Sequence, residues 1–372
     1  MAVGKTLRLM YRGESTFRFI PTRKWWYLAS LIMIVICVFS IAFRGFNFGI
    51  DFSGGSSFQI PASNSVTTSK VDSAFADAGV SSAEPAQRVG SNPPQIRVKT
   101  GSLQVNDQQQ VQRDVAKKLG IKATAISFST VGSDWGHDVT VKAIEGLVVF
   151  LIVVSIYISI RFQWRMAVGG IIALLHDLVI AAGIYSLVGF EVTPSTVVGL
   201  LTILGFSLYD TVVVYDKVSE NSKDLLAGSR QTYSDAANLA VNQTLMRSIN
   251  TSLIALLPVA GLLFVGAGLL GVGTIKDLAL ILFVGLASGA YSSLFLATPI
   301  VVDLTERTPE YQALTKRVVA KRSSEARRAA EERELAAAGV APARAGSRRG
   351  SGPAPAPRPG VRPGTRPPRR KR

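Results

Sequence analysis

Six apolar runs decide what this chain can fold into. Residues 25–43 contain no charged side chain, which is enough helix to cross a hydrocarbon layer of roughly 30 Å. Further runs of comparable length lie at about 144–161, 166–187, 194–215, 249–269 and 277–302. The first run follows Arg23-Lys24 and lacks a small-residue cleavage site, so it reads as a retained span and not as a signal peptide. An α-helical membrane protein with six transmembrane helices is the fold class that follows.

Charge then sets the orientation. The chain has 41 Lys and Arg against 25 Asp and Glu, a net of +16, yet it is 48% hydrophobic and only 18% charged. That balance excludes a disordered or histone-like chain, so the excess has to be concentrated somewhere. Residues 1–24 hold six basic side chains and one acid, residues 303–372 hold eighteen and seven, and the segment between them holds seventeen of each sign. Lys and Arg cluster on the cytosolic side of spans. Both termini are therefore expected in the cytosol, together with the tight Arg161-Phe162-Gln163-Trp164-Arg165 link between the second and third spans. Cys37 is the only cysteine, so no internal disulfide or Cys-based metal site can form, and no cofactor is expected.

With the N-terminus inside, residues 44–143 form a large extracytoplasmic loop. Their pattern reads as a strand (56–60), a helix (66–78), two short strands around Asn92-Pro93-Pro94, a helix (105–119) and a strand (123–128). That βαββαβ order is the ferredoxin-like split unit, which adds an α+β domain to the helical body. His137 is expected to be solvated. Residues 216–248 read as a cytosolic loop. Thr308-Pro309 opens a charged cytosolic helix ending near Gly339, and residues 340–372, rich in Pro, Gly, Ala and Arg, read as a disordered basic tail. Such a tail most simply meets anionic lipid head groups, at about 1 kcal/mol per basic side chain near the surface. No nucleic-acid partner is expected.

An ionisable side chain inside a bilayer is a functional hypothesis by default, because a central Asp costs roughly 2.5–3.5 kcal/mol on insertion scales. His176-Asp177 falls near the middle of the third apolar run, Asp210 in the cytosolic half of the fourth, and Arg247 at the cytosolic entrance of the fifth. Each has a plainer reading. His176 and Asp177 can act as interhelical glue, and Arg247 can be a snorkelling anchor. Gly285 and Gly289 read as helix packing, and Asp216 as a boundary residue. The functional reading treats Asp210 and Arg247 as a unit. Desolvation favours a neutral carboxyl and a nearby guanidinium favours an ionised one, so a carboxyl balanced between the two can load and release a proton as helices move.

Several segments, in order along the chain, resemble the SecD/SecF family of bacterial protein-export membrane proteins, on its SecF side. They are Gly49-Ile50-Asp51-Phe52-Ser53-Gly54-Gly55 after the first span, Val131-Gly132 before the second, the Arg161–Arg165 link and Ala173-Leu174-Leu175-His176-Asp177. Gly205-Phe206-Ser207-Leu208-Tyr209-Asp210-Thr211 follows, continuing to Glu220-Asn221, and then Asn242-Gln243-Thr244-Leu245-Met246-Arg247-Ser248. Tyr209 stands where the family commonly has Asn, Ser219 where Arg is common, and Ser133 where Pro is usual. The resemblance covers about residues 8–305. It implies half of a resistance-nodulation-division transporter core, with the other half on SecD. It also implies association with the SecYEG channel and a translocating preprotein, and proton coupling at Asp210 and Arg247 with His176 and Asp177 in support.

The expected function is therefore a non-enzymatic, proton-motive-force-coupled subunit of the preprotein translocase in the cytoplasmic membrane. One rival is a half-transporter exporting a small molecule or lipid, although a 100-residue outside loop is small for such pumps. Another is an intramembrane aspartyl protease using Asp177 and Asp210. Those two carboxyls differ in depth by about six residues, roughly 9 Å at the helical rise, whereas a shared proton requires contact.

Overall fold

The computed structural model describes residues 17–80, 83–89, 94–269 and 273–337. Six helices in it are long and apolar enough to cross a membrane. In chain order, span 1 is Arg23–Arg44, span 2 is Ser133–Arg161, span 3 is Trp164–Val188 and span 4 is Pro194–Ser222. Span 5 starts as Tyr233–Ala260 and span 6 as Gly273–Ser292. Two spans lose the regular α-helical ladder. Span 5 widens into π-helical turns over Gly261–Leu269, just after the internal Pro258, whose missing N–H removes one ladder bond. Span 6 widens over Ser293–Ala297 before resuming as α-helix over Thr298–Glu306.

Local chemistry fixes where the spans begin and end. Span 5 starts at a reciprocal capping box: the Thr232 backbone N–H donates to Asp235 Oδ2 at 2.9 Å, and the Asp235 N–H donates to Thr232 Oγ1 at 3.1 Å. Span 4 uses the Thr193–Thr196 pair in the same way, with Pro194 in the first turn. Span 3 stops at Gly189, whose φ of 77° is the left-handed conformation that a side chain resists.

Two boundaries differ from the sequence reading. Residues 133–143, assigned to the outside loop, are the first turns of span 2. Their polar sequence stays helical because it is anchored: Gly136 is buried, and a Cβ there would lie 2.7 Å from the Phe52 carbonyl oxygen and 2.9 Å from the Gly54 nitrogen. Likewise 216–248, read as a loop, is filled by the ends of spans 4 and 5, leaving only 223–232 between them. Hydropathy marks only the part of a helix that meets lipid, whereas caps set its actual length.

The segment between spans 1 and 2 contains strands and helices in the order read from the sequence. Strands β2 (Gly55–Pro61), β3 (Gln87–Val89), β4 (Gln95–Thr100) and β5 (Ser127–Val131) form a sheet in the order β3-β4-β2-β5, antiparallel throughout; β1 (Asn47–Phe48) lies outside it. Placing β2 centrally puts Phe58 opposite both Val98 and Phe128. Helices Thr68–Asp77 and Val105–Leu119 supply Val71, Phe75, Val111 and Val115 to the same core as Phe58, Ile60, Ile96 and Val98. Much of the turn expected at Asn92-Pro93-Pro94 lies outside the described residues. His137 is exposed.

The two adjacent glycines that open this domain have steric reasons. Gly54 and Gly55 have φ of 69° and 123°, and a Cβ on Gly55 would lie 2.5 Å from the Thr100 carbonyl oxygen. β2 can sit beside β4 while the chain turns against the start of span 2 only without side chains here.

Contacts divide the chain at Val319 into two units. The helix Pro309–Ala337 matches the charged helix read after Thr308-Pro309, and in the second unit its described side chains, Ala320–Glu334, are all exposed. The basic tail of residues 340–372 lies outside the described residues.

Candidate functional site

Spans 3, 4, 5 and 6 place two carboxylates in the protein interior. Asp177 is 1% exposed and Asp210 is 3% exposed. Burying such a group requires hydrogen-bond donors, and serines from neighbouring spans provide them. Asp177 Oδ2 accepts from Ser207 Oγ of span 4 at 2.6 Å and from Ser292 Oγ of span 6 at 2.7 Å. Its Oδ1 accepts from Ser288 Oγ at 2.7 Å and lies 3.2 Å from His176 Nδ1. Asp210 accepts from Ser248 Oγ of span 5 at 2.7 Å and from Ser293 Oγ of span 6.

The two carboxylates are thus held by consecutive serines. Ser292 ends the α-helical part of span 6 and Ser293 begins its π-helical turns. In a regular helix consecutive side chains diverge by 100°, and here that divergence directs one hydroxyl to each acid. Such π-helical irregularities recur at functional sites.

The close approach of spans 4 and 6 depends on the glycine pair. A Cβ on Gly289 would lie 2.9 Å from Ser207 Cβ, and one on Gly285 would meet the Ile203 side chain. The packing role expected for this pair is what the geometry shows, and it also brings Ser207 and the span 6 serines to Asp177.

Arg247 does not pair with Asp210 in this structure. It is exposed, and its Nη2 donates to the Tyr209 hydroxyl at 3.4 Å. Spans 4 and 5 therefore meet through two neighbouring contacts, Ser248 to Asp210 on the buried side and Arg247 to Tyr209 on the exposed side. The Tyr209 hydroxyl, on a side chain that stands where the resemblance has Asn, is the group the guanidinium meets. His176 is buried, with its Nε2 atom lacking a hydrogen-bond partner.

Sequence reasoning found Asp177 and Asp210 but missed Ser288, Ser292 and Ser293. The available signal was three hydroxyls at spacings of four and five beside the glycine pair, within an otherwise apolar run. Each Asp177 oxygen has two neighbours, so Asp177→Asn puts an amide donor where two of them must turn to accept at once. It is expected to lower stability by about 1–3 kcal/mol, read as a drop in Tm of the purified chain in detergent. An unchanged Tm would mean that the serines do not depend on the carboxylate.

Comparison with known proteins fits this architecture. Residues 111–307 match the family model for the C-terminal part of the protein export membrane proteins SecD/SecF, and residues 39–66 match the SecD/SecF GG motif. The chain is 46% identical to the protein translocase subunit SecF of Streptomyces coelicolor, covering 84% of this chain and 83% of that one. It is 44% identical to the SecF subunit of Mycobacterium tuberculosis, covering 86% and 74%. The crystal structure of SecDF from Thermus thermophilus, described as a translocon-associated membrane protein, superposes with a TM-score of 0.69 at 31% identity. That match takes in 81% of this chain and 41% of the SecDF chain, so the chain spans about two fifths of that larger protein. With its six apolar helices, the chain is a multi-pass membrane protein and belongs to the SecD/SecF family of protein export membrane proteins.

Proposed function

We propose that the chain is the SecF-type half of a protein-export unit that uses the proton motive force to assist preprotein translocation, without catalysing a chemical reaction itself. The observation that carries this reading is the pair of buried carboxylates, each held by serines from neighbouring spans at the π-helical turn of span 6. A buried acid whose donors are hydroxyls can be satisfied in either protonation state, because a hydroxyl both donates and accepts. Asp210 is the proton carrier in this reading. Arg247, one residue before Ser248, is placed to replace the serine as its partner when span 5 turns or its side chain swings inward. The separated arrangement seen here is then one of two states.

SecD is the proposed partner, since the relative in Thermus thermophilus carries the SecDF name on one longer chain and this chain covers 40% of it. The SecYEG channel and a translocating preprotein complete the assembly. Both termini face the cytosol, with the basic end near anionic lipid. The test is purification of the full chain after co-expression with SecD, followed by preprotein translocation into inverted membrane vesicles. Co-purification and a translocation rate that falls on adding a protonophore are the expected results. A homo-oligomer lacking SecD, with translocation insensitive to the protonophore, would sink the reading and favour a self-contained pump.

A further inference from the structure

The outside domain is joined covalently to spans 1 and 2, but its link to spans 3 and 4 is non-covalent: the Gly49 N–H donates to the Val192 carbonyl at 2.8 Å, and one acid, Glu191, reaches the sheet. The hairpin between those spans carries strand β6, Glu191–Val192, which pairs in parallel with β1, Asn47–Phe48. From β6 the Glu191 carboxylate reaches β4 of the outside sheet. Arg97 Nη1 donates to its Oε2, and Lys99 Nζ lies 3.4 Å from its Oε1. Lys99 also donates to Asn47 Oδ1 and to the Phe48 carbonyl, each at 3.0 Å. Arg97 and Lys99 are two residues apart on β4, so both side chains leave the same face of the sheet. At the other end, the Glu191 backbone carbonyl accepts from the Tyr185 hydroxyl of span 3 at 3.1 Å, which ties the hairpin to that helix.

These contacts are shielded, with side-chain exposures of 14% for Glu191 and 9% for Lys99. They adjoin a cavity of about 280 Å³ whose lining includes Asp51, Ser57, Gln59, Arg97, Glu191 and Asp277. Burial first, and the Glu191 charge second, hold the Asp51 carboxyl above its usual range. Asp277 lies near the start of span 6, the helix that carries Ser292 and Ser293.

We propose that Glu191, held by Arg97 and Lys99, is the coupling latch through which movement of spans 3 and 4 reaches the outside domain. The domain is seated on span 2, where Gly136 lies against Phe52 and Gly54, and the hairpin between spans 3 and 4 reaches its sheet through Glu191. That hairpin joins the two helices bearing Asp177 and Asp210. The latch rests on the proton-driven reading above and adds the step by which a change at the buried acids becomes work outside the membrane.

The test measures proton flux and preprotein translocation in the same vesicles, with the full chain and SecD present. Glu191→Ala is expected to lower protonophore-sensitive translocation about 2- to 30-fold, the range over which single residues alter coupling between sites, while proton flux stays within about twofold of the unaltered protein. The charge swap Arg97→Glu with Glu191→Arg is expected to restore translocation. Unchanged translocation in Glu191→Ala overturns the latch. So does an equal loss of flux and translocation, or failure of the swap to restore, since each of these marks a residue needed for folding or for the proton site. Absence of protonophore sensitivity in the unaltered protein overturns the functional reading itself, and the latch with it.

Discussion

Asp210→Asn is expected to leave the chain folded, inserted and bound to SecD, while translocation in the presence of a membrane potential falls to the rate seen without one. The expectation of normal folding comes from the shape of the site. Asn matches Asp in size, Asp210 accepts from Ser248 and Ser293 among the described residues, and each hydroxyl can rotate to accept from the new amide. What is lost is the ability to carry a proton. A proton crossing the membrane makes available about 2.3 kcal/mol per 100 mV, and 1.4 kcal/mol corresponds to a factor of ten. Coupling one proton can therefore favour translocation by roughly 50-fold at 100 mV. Membrane content of the chain, SecD co-purification and translocation rate with and without a protonophore are the readouts. Retained protonophore sensitivity at normal expression would mean that Asp210 is not the carrier. Tyr209→Asn is the matching control: it frees the exposed Arg247 without touching the buried serines, so coupling should survive.

The sequence was informative wherever one physical effect dominated. Hydropathy located all six spans because a bilayer demands long apolar runs. Alternation of strand and helix patterns between spans 1 and 2 gave the order of the four sheet strands and two helices, but not the short strand β1 or the helix Ile50–Ser53. Asp177 and Asp210 stood out because intramembrane acids are expensive. The serines did not, since a hydroxyl within an apolar helix usually bonds its own backbone, as Thr251 does to the Arg247 carbonyl at 2.8 Å. Ser292 bonds both its own helix, at the Gly289 carbonyl, and the neighbouring acid Asp177, and no local pattern announced the second bond. Arg247 shows the opposite limit. Its charge was conspicuous, but its partner is chosen by which side of span 5 faces span 4, and that is a property of packing. Glu191 drew no notice at all, because its meaning lies in Arg97 and Lys99, more than ninety residues away in sequence.

Gly285→Ala is expected to have the second-largest effect, and it acts through packing alone. A Cβ at this position would lie 2.8 Å from both Cβ and Cγ1 of Ile203, and its overlap with the Ile203 Cδ1 methyl is greater still. Swinging the methyl away does not relieve contacts to Cβ and Cγ1, and a β-branched side chain in a helix has essentially one χ1 rotamer. Ile203 is 1% exposed and shares a cluster with Ala181, Tyr185, Ile281 and Leu286, so it has no free space to enter. Spans 4 and 6 must separate, at about 1–3 kcal/mol for overpacking a well-filled core. The separation reaches the functional site directly, because Ser288, Ser292 and Ser293 lie on span 6 within eight residues of Gly285, while Ser207 and Asp210 lie on span 4. A lowered Tm in detergent and reduced protonophore-sensitive translocation should therefore appear together. Ile203→Ala added to Gly285→Ala removes the Cγ and Cδ carbons but keeps the 2.8 Å contact to Cβ, so it should recover only part of both. If the single variant keeps its Tm and its coupling, spans 4 and 6 do not meet at Gly285 in the working protein, and the serines of span 6 would need another route to the two acids.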